Sequence, residues 1–135
     1  MELADTSAWT NRHKDAAVQA DFDGRVLANE VATCSPVVME LLWTAQDPSR
    51  FSALRDELEA LPQLPVTARA WERAIEVWHE LVRRGRHRQI KPADYVIAAV
   101  AELSAVGLCH YDGDFDAIAL VTAQPVRAIA PIGSL

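Results

Sequence analysis

The chain has 135 residues, one domain's worth, with half of them hydrophobic and 24% charged, an ordinary globular composition with enough apolar sequence for a core. A net charge of −6 argues against a protein that coats nucleic acid indiscriminately, although it leaves room for an enzyme that acts on nucleic acid through a bound metal. No apolar run approaches the roughly 20 residues of a membrane span, and the opening MELADTSAW lacks a basic segment followed by an apolar one, so a cytoplasmic protein without membrane association is expected.

Leu3-Ala4 reads as the apolar end of a short strand closed by Asp5-Thr6-Ser7, and a helix is expected from about Ala8 to Ala20. Val31 to Cys34 reads as a second strand. Ser35-Pro36 then reads as N-cap and first residue of a helix through VVMELLWTA. Asp47-Pro48-Ser49 opens another helix, with Phe51, Leu54, Leu58 and Leu61 at helical spacing. After the extended Leu64-Pro65-Val66, Thr67 is the natural N-cap of a helix carrying Trp71, Ile75, Trp78 and Val82 on one face, a stripe expected to be core. Gly85 is its stop signal. The stretch from Pro92 to Leu103 is nearly apolar all round, hence a helix packed on several sides, and Gly107 ends it. Leu108 to Tyr111 and Val126 to Ile129 supply two more strands. Strands alternating with helices predict an α/β fold, a parallel sheet covered on both faces. With no linker or repeat in view, residues 1–135 are expected to form a single domain.

Cys34 and Cys109 lie far apart among apolar neighbours and match no metal spacing, so both read as small buried thiols. The acids are more informative. Asp5 and Asp112 each follow a predicted strand; if those strands are parallel neighbours, both carboxylates share the rim where ligands of open parallel sheets gather. Glu40 interrupts an otherwise apolar helix, and Asp94 sits in the first turn of another. Each has a plain reading alone: a cap for Asp5, an exposed acid for Glu40, a dipole-favoured acid for Asp94. Together they form an oxygen-only donor set that suits Mg²⁺ or Mn²⁺, and no His/Cys spacing supports structural zinc. Asp112, Asp114 and Asp116 match positions 1, 3 and 5 of an EF-hand loop, but Ala117 and Ala123 stand where that loop needs Gly and Glu. His110 reads as a strand-end residue rather than a general base, and Asp116 as a solvated acid at a loop or helix start.

Four motifs in order resemble the PIN-domain family, and within it the small VapC-type toxins of bacterial toxin–antitoxin pairs. They are Asp5-Thr6-Ser7 after an apolar strand, Ser35-Pro-Val-Val-Met-Glu40-Leu, Asp94-Tyr-Val-Ile-Ala-Ala-Val-Ala, and His110-Tyr-Asp112-Gly-Asp114-Phe115. Each motif is short; their order and spacing over nearly the whole chain carry the resemblance. It implies a PIN-like three-layer α/β/α fold with a central parallel sheet and a Mg²⁺- or Mn²⁺-dependent endoribonuclease. Asp5, Glu40, Asp94 and Asp112 would be its catalytic acids. Asp5, Asp94, Asp112 and, as an auxiliary, Asp114 would hold metal, while Thr6 or Ser7 would orient the first aspartate. It also implies an RNA substrate, a VapB-type antitoxin that wraps the toxin and inserts a basic side chain near the acids, and a homodimer. Trp43 and Phe51 could line a partner groove or dimer seam, but core is the plainer expectation for both.

Arg83-Arg-Gly-Arg-His-Arg-Gln-Ile-Lys91 carries five cations and no acid. Arg84, Arg86, Arg88 and Lys91 are therefore RNA-phosphate candidates, against the alternative of a solvated helix end. A catalytically inactive PIN-like module that binds RNA or a partner is the competing functional reading, and it predicts loss of one of the four acids. None is missing. A haloacid dehalogenase-type phosphatase would need a second aspartate where this chain continues Asp5-Thr-Ser-Ala-Trp. A receiver domain would need paired acids after the first strand and a lysine after the last, and neither is present.

Overall fold

The computed structural model covers Met1 to Leu135. Strand β1 (Glu2–Ala4) lies inside a four-stranded sheet of order β2-β1-β3-β4, with β2 (Val31–Ala32), β3 (Gly107–His110) and β4 (Val126–Ala128). Every pairing is parallel: Leu3 lies opposite Ala32 and Leu108, and Cys109 opposite Arg127. Parallel neighbours need crossovers, which the helices supply: α1 (Thr6–Asn11) and α2 (Ala16–Leu27) between β1 and β2, and α7 (Asp114–Thr122) between β3 and β4. The long β2-to-β3 connection holds α3 (Ser35–Leu42), α4 (Pro48–Glu59), α5 (Ala68–Arg83) and α6 (Pro92–Leu103).

Alternation along the strands divides the core. Leu3 and Leu108 join Val37, Leu81, Ile97 and Phe115 on one face, whereas Ala4, Val31 and Cys109 meet Ala8 and Phe22 on the other. The result is the expected three-layer α/β/α arrangement, with α6 buried from Asp94 through Ala101 as the central helix. Both cysteines are free and buried, and burial pushes the Cys34 thiol up to about 11 and that of Cys109 up to about 12. No helix is long and apolar enough to cross a membrane.

Four local expectations need correction. The single helix over residues 8–20 is two helices: a 3₁₀ turn at Arg12–Lys14 intervenes, and the Asp15 carboxylate restarts the chain by accepting from the Ala17 and Val18 N–H groups. The α3 cap is Cys34, not Ser35; its extended backbone (φ −143°, ψ 165°) ends β2's path, and Ser35 is already helical. On α5 the buried stripe is Ala70, Ala74, Val77 and Leu81, one position off the bulkier one. Trp71, Ile75 and Val82 are exposed, and Trp78 is half-buried, stacked on Tyr95 at 5.1 Å. The small alanines let α5 lie close against the all-apolar α6, so close packing prevails over side-chain bulk. Finally, Trp43 is 90% exposed and Phe51 is exposed as well, so neither belongs to the core.

Candidate active site

Asp5 directly follows β1, and its backbone N–H donates to the Cys109 carbonyl of β3 at 2.9 Å, so the ends of the two central strands are locked together. Its Oδ2 accepts the Ser7 N–H at 2.9 Å, capping α1. The Ser7 hydroxyl then accepts the Tyr111 N–H at 2.9 Å, a second tie from the start of α1 to the loop after β3. That loop is turned by two further bonds. The Asp112 N–H donates to His110 Nδ1 at 3.1 Å, and the Asp114 N–H donates to Asp112 Oδ1 at 2.9 Å. Asp94 enters from α6, where its carboxylate accepts the Lys91 N–H at 3.4 Å.

These constraints bring Asp94, Asp112 and Asp114 together, each offering a carboxylate oxygen within 4.8 Å of the others'. Asp5 and Glu40 are coupled to the same cluster. Burial raises the Asp94 carboxyl to about 7, and the charges of Asp5, Asp112 and Glu40 add to the rise. Burial also raises Asp5, with Asp112 contributing, and raises Glu40, with Asp5 contributing. Asp114 is raised by burial and by Asp112, and the nearby Lys91 ammonium partly offsets the rise in both Asp114 and Glu40. None of the five carboxylates belongs to an ion pair; the molecule's ion pairs all lie elsewhere. Asp5 Oδ1 and Glu40 Oε1 are buried without any hydrogen-bond partner. Repelling carboxylates with orphaned oxygens and no cationic side chain in contact are a donor set fitted to a divalent cation.

The profile of the family described as "PIN domain" matches residues 3–121. The chain belongs to the PIN-domain family. Among curated relatives of this PIN domain, "Ribonuclease VapC18" of Mycobacterium tuberculosis is 38% identical over 133 residues, covering 97% of this chain and 96% of that one. "Ribonuclease VapC51" of the same organism is 32% identical over 133 residues, 98% of this chain and 96% of the relative. Among solved structures, VapBC-5 of Mycobacterium tuberculosis, a member of the VapBC family of toxin–antitoxin systems, superposes with a TM-score of 0.61 at 25% identity, covering 94% of this chain and 95% of that one. DNA-bound VapBC from Salmonella typhimurium gives a TM-score of 0.75 at 19% identity over 96% and 100% of the two chains, which shows the shared fold.

Residues proposed from this PIN domain's sequence are distributed unevenly. Asp5, Glu40, Asp94, Asp112 and Asp114 converge at the carboxyl ends of β1 and β3. Ser7 holds both Asp5 and the β3 loop, whereas the buried Thr6 hydroxyl lies beside Glu40 and lowers that residue's proton affinity. The sequence reading missed the part played by His110. It is fully buried, burial lowers its pKa, and its Nδ1 accepts from Asp112, which leaves the proton on Nε2, 3.6 Å from Asp116 Oδ1. Its adjacency to Asp112 was the only signal in the sequence, since a strand end does not reveal which way the ring turns.

Proposed function

We propose that the chain is a divalent-metal-dependent endoribonuclease, the toxin of a toxin–antitoxin pair, which hydrolyses RNA phosphodiester bonds. One observation carries the reading: three carboxylates within 4.8 Å of one another at the rim of a parallel sheet, beside the unpartnered buried oxygens of Asp5 and Glu40. The family membership and the relatives named as ribonucleases support it.

Asp5, Asp94, Asp112 and Asp114 would hold Mg²⁺ or Mn²⁺, because hard oxygen donors suit these ions. When bound, the ion supplies positive charge for phosphoryl oxygens and a water of lowered pKa. The protein's own contribution is placement and proton transfer. Ser7 and the backbone bonds around Asp112 hold the ligands on neighbouring strand ends, so the site is preorganised rather than assembled by substrate. Glu40, with one oxygen unpartnered and its proton affinity raised by burial and Asp5, is the carboxylate available to take a proton from the attacking water. His110, sealed from solvent, keeps the Asp112 turn in place.

The antitoxin of such a pair would offer a basic side chain to this acidic site and apolar groups to its surroundings. Met39, Trp43 and Phe51, all exposed, line one side of Glu40 and supply the matching apolar surface.

The test is cleavage of total cellular RNA by the purified protein with Mg²⁺ or Mn²⁺, with chelator, and with Asp94→Asn. Fragments that need metal and vanish in the variant are expected. Intact RNA beside folded, metal-binding, antitoxin-free protein overturns the nuclease reading and leaves a binding module.

A further inference from the structure

The five cations between Arg83 and Lys91 separate into distinct sets in the fold. Arg83 and Arg84 both pair with Glu80 on α5, at 2.8 and 3.1 Å, and point into solvent. Lys91 pairs with no acid, but it lies near enough for its charge to reach Glu40 and Asp114. Arg86 and Arg88 have no acidic partner within 4.0 Å, and both line a cleft of about 580 Å³ that Asp112, Gly113 and Asp114 line as well.

The loop that carries them is pinned at both ends. At its start Gly85 takes φ +66°, the left-handed conformation that closes a helix, and the Arg86 N–H donates back to the Leu81 carbonyl at 2.9 Å. At its end the Ile90 N–H donates to the His87 carbonyl at 3.1 Å, and the Ile90 side chain is buried in the main core. Two exposed arginines on a pinned loop thus share a cleft with the acidic site in a chain whose net charge is −6. The cleft thus leaves a gap whose walls carry both cations and metal-ligand candidates, with no ion pair between them. A phosphate group fits such a gap, because planar guanidinium forks match its oxygens. No aromatic side chain lines the cleft, so stacking of a base on an aromatic ring does not operate there. Gln89 is its one neutral side chain able to form hydrogen bonds.

We propose that this cleft is a subsite for the nucleotide flanking the cleaved bond in single-stranded RNA. Arg86 and Arg88 grip its phosphate, and Gln89 faces its base or ribose. The inference rests on the nuclease reading above for the word "cleaved", but RNA binding at the cleft can be measured without it.

The test compares two double variants of equal charge loss, Arg86→Gln/Arg88→Gln and Arg83→Gln/Arg84→Gln, in the full-length protein. Binding of a fluorescent single-stranded oligoribonucleotide is followed by anisotropy in chelator over a series of salt concentrations. Cleavage of the same oligonucleotide with Mn²⁺ gives kcat and KM. Loss of the one phosphate contact that both arginines make should weaken binding about tenfold and flatten the log–log salt slope of the Arg86/Arg88 variant by about 0.7, the value for one single-strand phosphate. KM should rise while kcat stays within about twofold, since the contact serves substrate and transition state alike. The Arg83/Arg84 variant should bind as the parent does. Equal weakening in both variants, or none in either, overturns the subsite even if the parent cuts RNA. A parent that binds with an Arg86/Arg88-dependent salt slope yet cuts nothing retains the subsite and removes the nuclease.

Discussion

Asp94→Asn offers the sharpest physical test of the acidic cluster, because it should stabilise the metal-free protein while abolishing activity. A carboxyl held at about 7 in the fold against an ordinary 3.8 destabilises the folded state when ionised. The cost is absent below about pH 4, grows through the interval up to 7, and is constant above it. At about 1.4 kcal/mol per tenfold change in proton affinity, it reaches about 4 kcal/mol at pH 8 and is about 2 kcal/mol at pH 5. Asparagine keeps an oxygen for the Lys91 N–H, carries no charge, and brings N–H donors toward neighbours that lack them. Urea unfolding in chelator at the two pH values measures the difference. The variant should exceed the parent by about 2–4 kcal/mol at pH 8, with the margin shrinking by about 2 kcal/mol or more at pH 5. A variant that is less stable than the parent at pH 8, or a margin independent of pH, refutes the argument that Asp94 is buried among like charges.

Further outcomes follow from the same geometry. Mn²⁺ should raise the parent's Tm, by about 2.7 kcal/mol of stabilisation at a hundredfold excess over Kd, and should leave Asp94→Asn nearly unmoved in the same thermal melt; equal shifts would place the ion elsewhere. Ser7→Ala strands the Tyr111 N–H and should cost about 1–3 kcal/mol by urea unfolding, with a fall in kcat as Asp112 loses its anchor; full activity and stability would show that tie to be idle. On α5, Leu81→Ala should cost about 2–5 kcal/mol and Ile75→Ala less than about 1, since Leu81 is fully buried and Ile75 is 67% exposed. The reverse order would restore the bulky stripe as core. We propose that residues 1–135 unfold as one unit, so circular dichroism and tryptophan fluorescence should give coincident transitions; separated midpoints would divide the chain into two domains.

Much of the architecture follows from sequence pattern alone. Short apolar strands alternating with capped helices require a parallel sheet with covered faces, and an aspartate directly after each of two strands places carboxylates at one rim once those strands are neighbours. Thr67 caps its helix as its position before an apolar run predicts, and the Asp47 carboxylate caps α4 likewise, because a side-chain oxygen there satisfies N–H groups that the helix cannot. The all-apolar stretch from Pro92 had to be buried on every side. Asp94 at its start therefore had to lie near the core, and the fold brings it to the rim as well.

Tertiary packing decided the rest. Periodicity gives α5 two adjacent stripes, and only the approach of α6 selects the one bearing Ala70 and Ala74. Trp43 and Phe51 look like core by hydrophobicity, yet α3 and α4 leave them exposed beside Glu40, because an exposed apolar side chain and a buried one have the same local sequence signal. The basic run is uniform in sequence; in the fold, Glu80 takes two of its arginines, Lys91 stays unpaired within reach of the acids, and the Gly85 turn leads Arg86 and Arg88 to the cleft. Nor could spacing show that His110 closes the Asp112 turn, since that depends on a ring orientation fixed by burial against Phe115. Local sequence determined which residues could be ligands and which elements carry them. Which charges face one another was decided by distances between elements far apart in the chain, and those exist only after the sheet has brought β1 and β3 together.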